Sequence, residues 1–141
     1  MPELGKERSH QLTPGLTDVP DFLKQKHVFY TIATASGKFN VDFYFSHLKI
    51  GEYFDIKKVV FDNGKIKGKP NPDIYLKAME AVNTKPENTI IFEDSYTGID
   101  AAERSGASEI IIVNSSDRSY TDYNHTIIKD FNQVNRDIFF E

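Results

Sequence analysis

The 141 residues suit one domain, and 39% hydrophobic with 27% charged residues is the balance of a globular chain. A net charge of −4, with no block or stripe of Lys and Arg, argues against nucleic-acid binding. Cysteine is absent, which excludes disulfides and thiolate metal sites and fits a reducing cytoplasm; no apolar run approaches the roughly 20 residues that span a membrane.

In chain order, residues 1–11 are polar and lack the apolar stretch of a signal peptide, so they read as a segment ahead of a domain over 12–141. Leu12-Thr-Pro-Gly-Leu16 is a turn signal. Thr17 is a helix N-cap, Asp18 and Pro20 fit the first turn, and Phe22 and Leu23 face the core. Val28 to Ala33 is an apolar run with the character of a buried strand, followed by the small, hydroxylic Thr34-Ala-Ser-Gly37. Val41, Tyr44, Phe45 and Leu48 recur at helical spacing until Gly51. A second strand is predicted over Lys57 to Phe61, with Asp62-Asn-Gly64 as a turn. Asn71 caps and Pro72 opens a helix that runs to about Val82. Thr89 to Phe92 is a third strand ending at Glu93-Asp94, and Thr97 with Asp100 forms a capping-box-like pair for a helix that stops at Ser105-Gly106. Glu109 to Val113 is a fourth strand and His125 to Ile128 a short fifth, ahead of a terminal turn or helix.

Apolar strands that alternate with helices predict a mainly parallel sheet covered on both faces, a three-layer αβα Rossmann-like α/β fold. Ligands of such sheets bind beyond the C-terminal strand ends. Three of those ends carry chemistry: Thr34 with Ala35 and Ser36, then Lys69, then Glu93 and Asp94. Together they suit a phosphate and a hard cation, because hydroxyl, backbone N–H and ammonium groups hold phosphate oxygens while carboxylates hold Mg²⁺. Taken singly, Thr34 also reads as a strand-end hydroxyl, Lys69 as a solvated lysine, and Glu93-Asp94 as loop acids before a helix N-terminus. His10, His27, His47 and His125 show no ligand spacing.

The order of three segments points to a family. Thr31-Ile-Ala-Thr-Ala-Ser36, Lys67-Gly-Lys-Pro-Asn-Pro-Asp73 and Ile91-Phe-Glu-Asp-Ser-Tyr-Thr-Gly-Ile-Asp-Ala-Ala102 together resemble the haloacid dehalogenase (HAD) superfamily. Closest is its β-phosphoglucomutase-like and phosphoglycolate-phosphatase-like branch, and the resemblance runs from about Leu12 to Asn114. It implies Mg²⁺-dependent phosphatase or phosphomutase chemistry on a small phosphorylated metabolite. By the same resemblance, Thr34 hydrogen-bonds the transferring phosphoryl group and Lys69 bridges it to the nucleophile, both as catalytic and phosphate-binding residues with Ala35 and Ser36 beside them. Asp94 with Glu93 holds Mg²⁺. A receiver domain of the CheY type shares the sheet, but here the acidic pair comes too late in the chain and after the lysine.

The family's nucleophile lies in an Asp-x-Asp-Gly-Thr-like motif on its first strand, and these 141 residues contain none. Asp18-Val-Pro-Asp21 and Asp62-Asn-Gly64 follow no suitable strand. The helical cap is also missing, with residues 1–11 resembling only the tail of its linker helix. The resemblance therefore predicts a truncated core without its central first strand, inactive alone. It leaves three arrangements: the flanking strands close up, a second copy or other chain complements them, or the missing half exists elsewhere. Self-association is the one expected. A non-catalytic phosphate- or protein-binding subunit is the alternative function.

Overall fold

The computed structural model describes residues 18–37, 54–62, 64–114 and 117–140, with Asp42. The turn expected at Leu12 to Leu16, the Thr17 cap and the helix expected around Val41 to Leu48 lie outside these residues. Helix α1 (Asp18–Gln25) buries Val19 and Leu23, one turn apart on one face, and sets Phe22 half-buried against Phe139. His27, at φ 59°, turns the chain out of the helix, and Val28 N–H donates to Leu23 O at 2.9 Å.

The first strand is displaced from its predicted place. β1 runs Ala33–Gly37, so only Ala33 of the expected Val28–Ala33 run is strand and Thr34 lies inside it. Pairing decides this. β2 (Val60–Asp62) is parallel to β1 and pairs from Ala33 with Val60 to Gly37 with Asp62. Residues 28–32 lie outside the strand, and of them Ile32 alone meets β2 in the backbone bonds seen, its carbonyl accepting from Val60 N–H at 2.9 Å. β2 also starts later than predicted, because Asp55 builds a turn over Ile56–Lys58. Its Oδ1 accepts from Lys57 N–H and its carbonyl from Lys58 N–H, each at 3.0 Å.

Helix α2 (Asp73–Ala81) begins where Asn71 Oδ1 accepts from Asp73 N–H at 3.0 Å, and Pro72 stands one place before the helix. β3 (Ile90–Glu93) includes Glu93 as its last residue. Helix α3 (Tyr96–Ser105) is capped by Ser95, not Thr97: Ser95 Oγ accepts from Gly98 N–H at 3.0 Å. It ends at Gly106, whose φ of 80° suits glycine. β4 (Glu109–Val113) and β5 (Thr126–Ile128) follow, and short 3₁₀ turns at Phe131–Gln133 and Arg136–Phe140 finish the chain. His125 pairs with Glu103 at 2.7 Å on the surface.

β4 is buried on both faces, which is why its last four residues, Ile110 to Val113, read as continuous apolar sequence. Ile110 faces a cluster with Ile74, Tyr75 and Met79 of α2 and Ala101 and Ala102 of α3. Ile111 and Val113 face the opposite cluster, with Val19 and Leu23 of α1 and Phe131. Helices therefore cover both faces, as the three-layer reading requires.

The parallel strands form two sheets, β1–β2 and β3–β4–β5, and β1 and β3 are not paired with each other. Of the three arrangements left open, direct pairing of the flanking strands is not the one seen among the described residues. A groove of about 280 Å³ separates them instead. Tyr30 and Ile32 ahead of β1, Ile90 and Phe92 of β3, and Tyr75 and Met79 of α2 line it.

Candidate functional site

β3 carries Glu93 to the edge of the core, and Asp94 follows at the C-terminal end of the strand. Glu93 is 0% exposed and Asp94 5%. A buried carboxylate survives only if its charge is matched and its oxygens bonded. For Glu93 both conditions hold. Its Oε2 accepts from Lys69 Nζ at 3.0 Å and from the Tyr75 hydroxyl. Its Oε1 accepts from Asp94 N–H at 3.0 Å and from Ser95 N–H and Oγ at 3.2 Å each. Burial drives this carboxyl upward, but surrounding positive charge, Lys69 included, and the Tyr75 hydroxyl outweigh it and hold Glu93 well below the ordinary carboxylate range.

Lys69 arrives on a stiff segment, with a cis peptide to Pro70 and Pro72 just beyond. Its side chain is 7% exposed, and its ammonium lies 5.4 Å from the centre of the Tyr75 ring. The solvated-lysine reading is thereby excluded. Tyr120 braces the acidic turn by donating to Asp94 O at 2.6 Å. Burial first, then the Asp94 charge, push the Tyr120 phenol up, which keeps it a donor. Gly98 is dictated by closeness: a Cβ there would lie within 2.6 Å of Glu93 Oε1 and closer still to Cδ.

Of the residues singled out in the sequence, the structure joins Lys69, Glu93 and Asp94 in one hydrogen-bonded network. Thr34, Ala35 and Ser36 stand in β1, with Thr34 buried. The neighbouring Ala33 packs in the same cluster as Tyr75 and Ile91. Sequence reasoning missed Tyr75, Ser95 and Tyr120. Tyr75 carried the one available signal, a hydroxyl-bearing residue six places after the lysine in the first turn of the following helix. Two adjacent buried carboxylates suit the hard-oxygen preference of Mg²⁺. Among the described residues no group of three or more His, Asp or Glu gathers as a fuller cage.

Comparison with known proteins gives the family and the fold. The chain is 34% identical to a phosphorylated carbohydrates phosphatase of Thermotoga maritima over 97 residues, 69% of this chain and 44% of that protein. It thus spans less than half the length of that relative. The crystal structure of a HAD hydrolase from Entamoeba histolytica superposes with a TM-score of 0.85 at 31% identity, covering 92% of this chain and 60% of that one. A β-phosphoglucomutase from Clostridium difficile gives 0.73 at 26% identity, covering 90% and 54%. The model of the haloacid dehalogenase-like hydrolases matches residues 3–106, most of the chain. The chain belongs to the haloacid dehalogenase-like hydrolase family.

Proposed function

We propose that this chain carries the phosphoryl-binding and Mg²⁺-binding part of a phosphatase or phosphomutase acting on a small phosphorylated metabolite. The observation that supports it is the buried Lys69–Glu93–Asp94 network at the end of β3. In this reading the Lys69 ammonium faces the phosphoryl oxygens, and Thr34 with the backbone of Ala35 and Ser36 takes the remaining oxygens. Asp94 is the metal ligand. Glu93, with both oxygens already engaged, adds charge behind Asp94 and holds the lysine. Mg²⁺, when bound, offsets charge on the transferring phosphoryl group.

These 141 residues supply no Asp-x-Asp-Gly-Thr nucleophile, so the chain by itself does not turn over. The groove between β1 and β3 is where an extended strand fits, and Tyr75 lines it. A strand seated there, from a second copy or another chain, comes alongside the network. That groove also supports the second reading, a subunit that binds phosphate or a protein strand without chemistry of its own.

The test is orthophosphate binding by the purified chain, together with p-nitrophenyl phosphate hydrolysis in Mg²⁺. Expected are measurable binding, weakened at least about tenfold by Lys69→Ala through loss of a charge-assisted contact, and no turnover. No binding would sink the phosphoryl-site reading. Mg²⁺-dependent hydrolysis abolished by Asp94→Ala would sink the claim of inactivity.

A further inference from the structure

We infer that Tyr75 is a positioning residue, whose hydroxyl fixes the Lys69 ammonium through the Glu93 carboxylate. Three observations converge on it. Tyr75 is buried in the first turn of α2, so packing locks its ring. Its hydroxyl and Lys69 Nζ donate to the same oxygen, Glu93 Oε2, while Oε1 is held by three donors from the Asp94–Ser95 turn. The Lys69 ammonium also lies over the same ring, 5.4 Å from its centre.

The geometry has a direct meaning. Glutamate's last torsion is broad, and the turn donors hold only Oε1. At Oε2 one donor is the flexible Lys69 stem. The phenol, carried on the first turn of α2 and fixed by core packing, adds a rigid donor at that oxygen. Lys69, a flexible four-carbon stem with a rotatable ammonium, then meets a fixed acceptor and a fixed ring face. Tyr75 also lines the groove between the two sheets. Whatever occupies the groove therefore touches the residue that sets the lysine.

This inference rests on the reading of Lys69 as the phosphoryl-binding lysine, so its test must report on the lysine whether or not phosphate binds. The probe is the Lys69 ammonium itself, observed by ¹⁵N-detected NMR in the full 141-residue chain and assigned by its loss in Lys69→Arg. In the unsubstituted chain we expect a protected ammonium signal. Tyr75→Phe keeps the ring and its packing, and we expect ammonium proton exchange at least about tenfold faster. Tyr123→Phe, which removes a phenol bonded to Asp100 and to the Tyr96 carbonyl but not to Glu93, leaves the rate within twofold. Routing through Glu93 is checked in a Glu93→Gln background, where adding Tyr75→Phe should change the rate no further. An unprotected Lys69 in the parent chain, an unchanged rate in Tyr75→Phe, or a full additional effect in the Glu93→Gln background would each overturn the inference. Orthophosphate titration of the same samples separates the two levels. A lysine that responds to Tyr75→Phe in a chain that binds no orthophosphate upholds the positioning and removes the phosphoryl-site reading.

Discussion

Gly98→Ala tests whether the Glu93 carboxylate is as tightly held as its bonds imply. In an ordinary helix the change favours alanine by up to about 1 kcal/mol. Here the new methyl would sit within 2.6 Å of Glu93 Oε1 and closer to the carboxyl carbon. One of the two must move. α3 packs through Ile99, Ala101 and Ala102, all 0% exposed, so the helix has no slack. Glu93 must shift away from Lys69, Tyr75 or Ser95. Overpacking costs about 1–3 kcal/mol, and disrupting a buried ion pair about 3–5 kcal/mol when it is broken outright. With the helical gain subtracted, we expect a net loss of about 3 kcal/mol. For a chain of this size that corresponds to a drop in Tm of roughly 10 °C. Urea unfolding followed by circular dichroism measures it. Thr97→Ala, one residue earlier and exposed, is the control and should stay within about 0.5 kcal/mol. A Gly98→Ala chain as stable as its parent would show that the carboxylate yields easily, and the reasoning would fail.

Three further outcomes follow from the same contacts. Ser95→Ala removes the cap to Gly98 N–H and a donor to Glu93, and should cost about 1–2 kcal/mol in the same assay; a loss at Thr97 instead of Ser95 would contradict the assigned cap. Gly106→Ala forces a side chain into a φ of 80° and should cost about 1 kcal/mol, an effect absent if the C-cap is elsewhere. Glu93 sits below its unfolded value of about 4.3, so its contribution is complete above that pH and is lost as pH falls toward its folded value. Stability should therefore decline below about pH 5, by up to about 1.4 kcal/mol per pH unit from this group. Glu93→Gln should flatten that slope, and an equal slope in both chains would exclude Glu93 as its source.

Much of the architecture is legible in the sequence because burial writes it there. β4 is buried on both faces, and Glu109 to Val113 reads as strand without ambiguity. Gly106 marks the end of α3 because the backbone there needs its conformational freedom. Where an apolar run and its pairing partner disagree, the sequence misleads. Val28 to Ile32 looks like strand, yet the register with β2 begins at Ala33. Asp55 delays β2 by a side-chain bond that no periodicity reveals. In the candidate site, the residue types Lys69, Glu93 and Asp94 are visible as a motif order. Tyr75 is not, because an aromatic on a helix reads as core and its bond to Glu93 spans 18 residues. Thr97 resembles a cap by spacing, but the hydroxyl two places earlier lies nearer the open N–H groups.

The division into two sheets also bears on how the chain folds. β3, α3, β4 and β5 are consecutive in sequence and register directly on one another, so their contacts close short loops. β1 and β2 meet across a gap of more than twenty residues and join the rest through side-chain packing, without strand pairing to β3, β4 or β5 among the described residues. The segment from Ile90 to Ile128 is accordingly the expected folding nucleus, and the β1–β2 pair the part that opens first. Native-state hydrogen exchange should show the slowest amides in β4 and α3 and the fastest strand amides in β1 and β2. Uniform protection across both sheets would mean that the groove does not divide the molecule energetically. In a chain built this way, the lysine segment ahead of α2 belongs to the late-forming half and Glu93 to the early one, so their ion pair is the latch that registers completion of the fold.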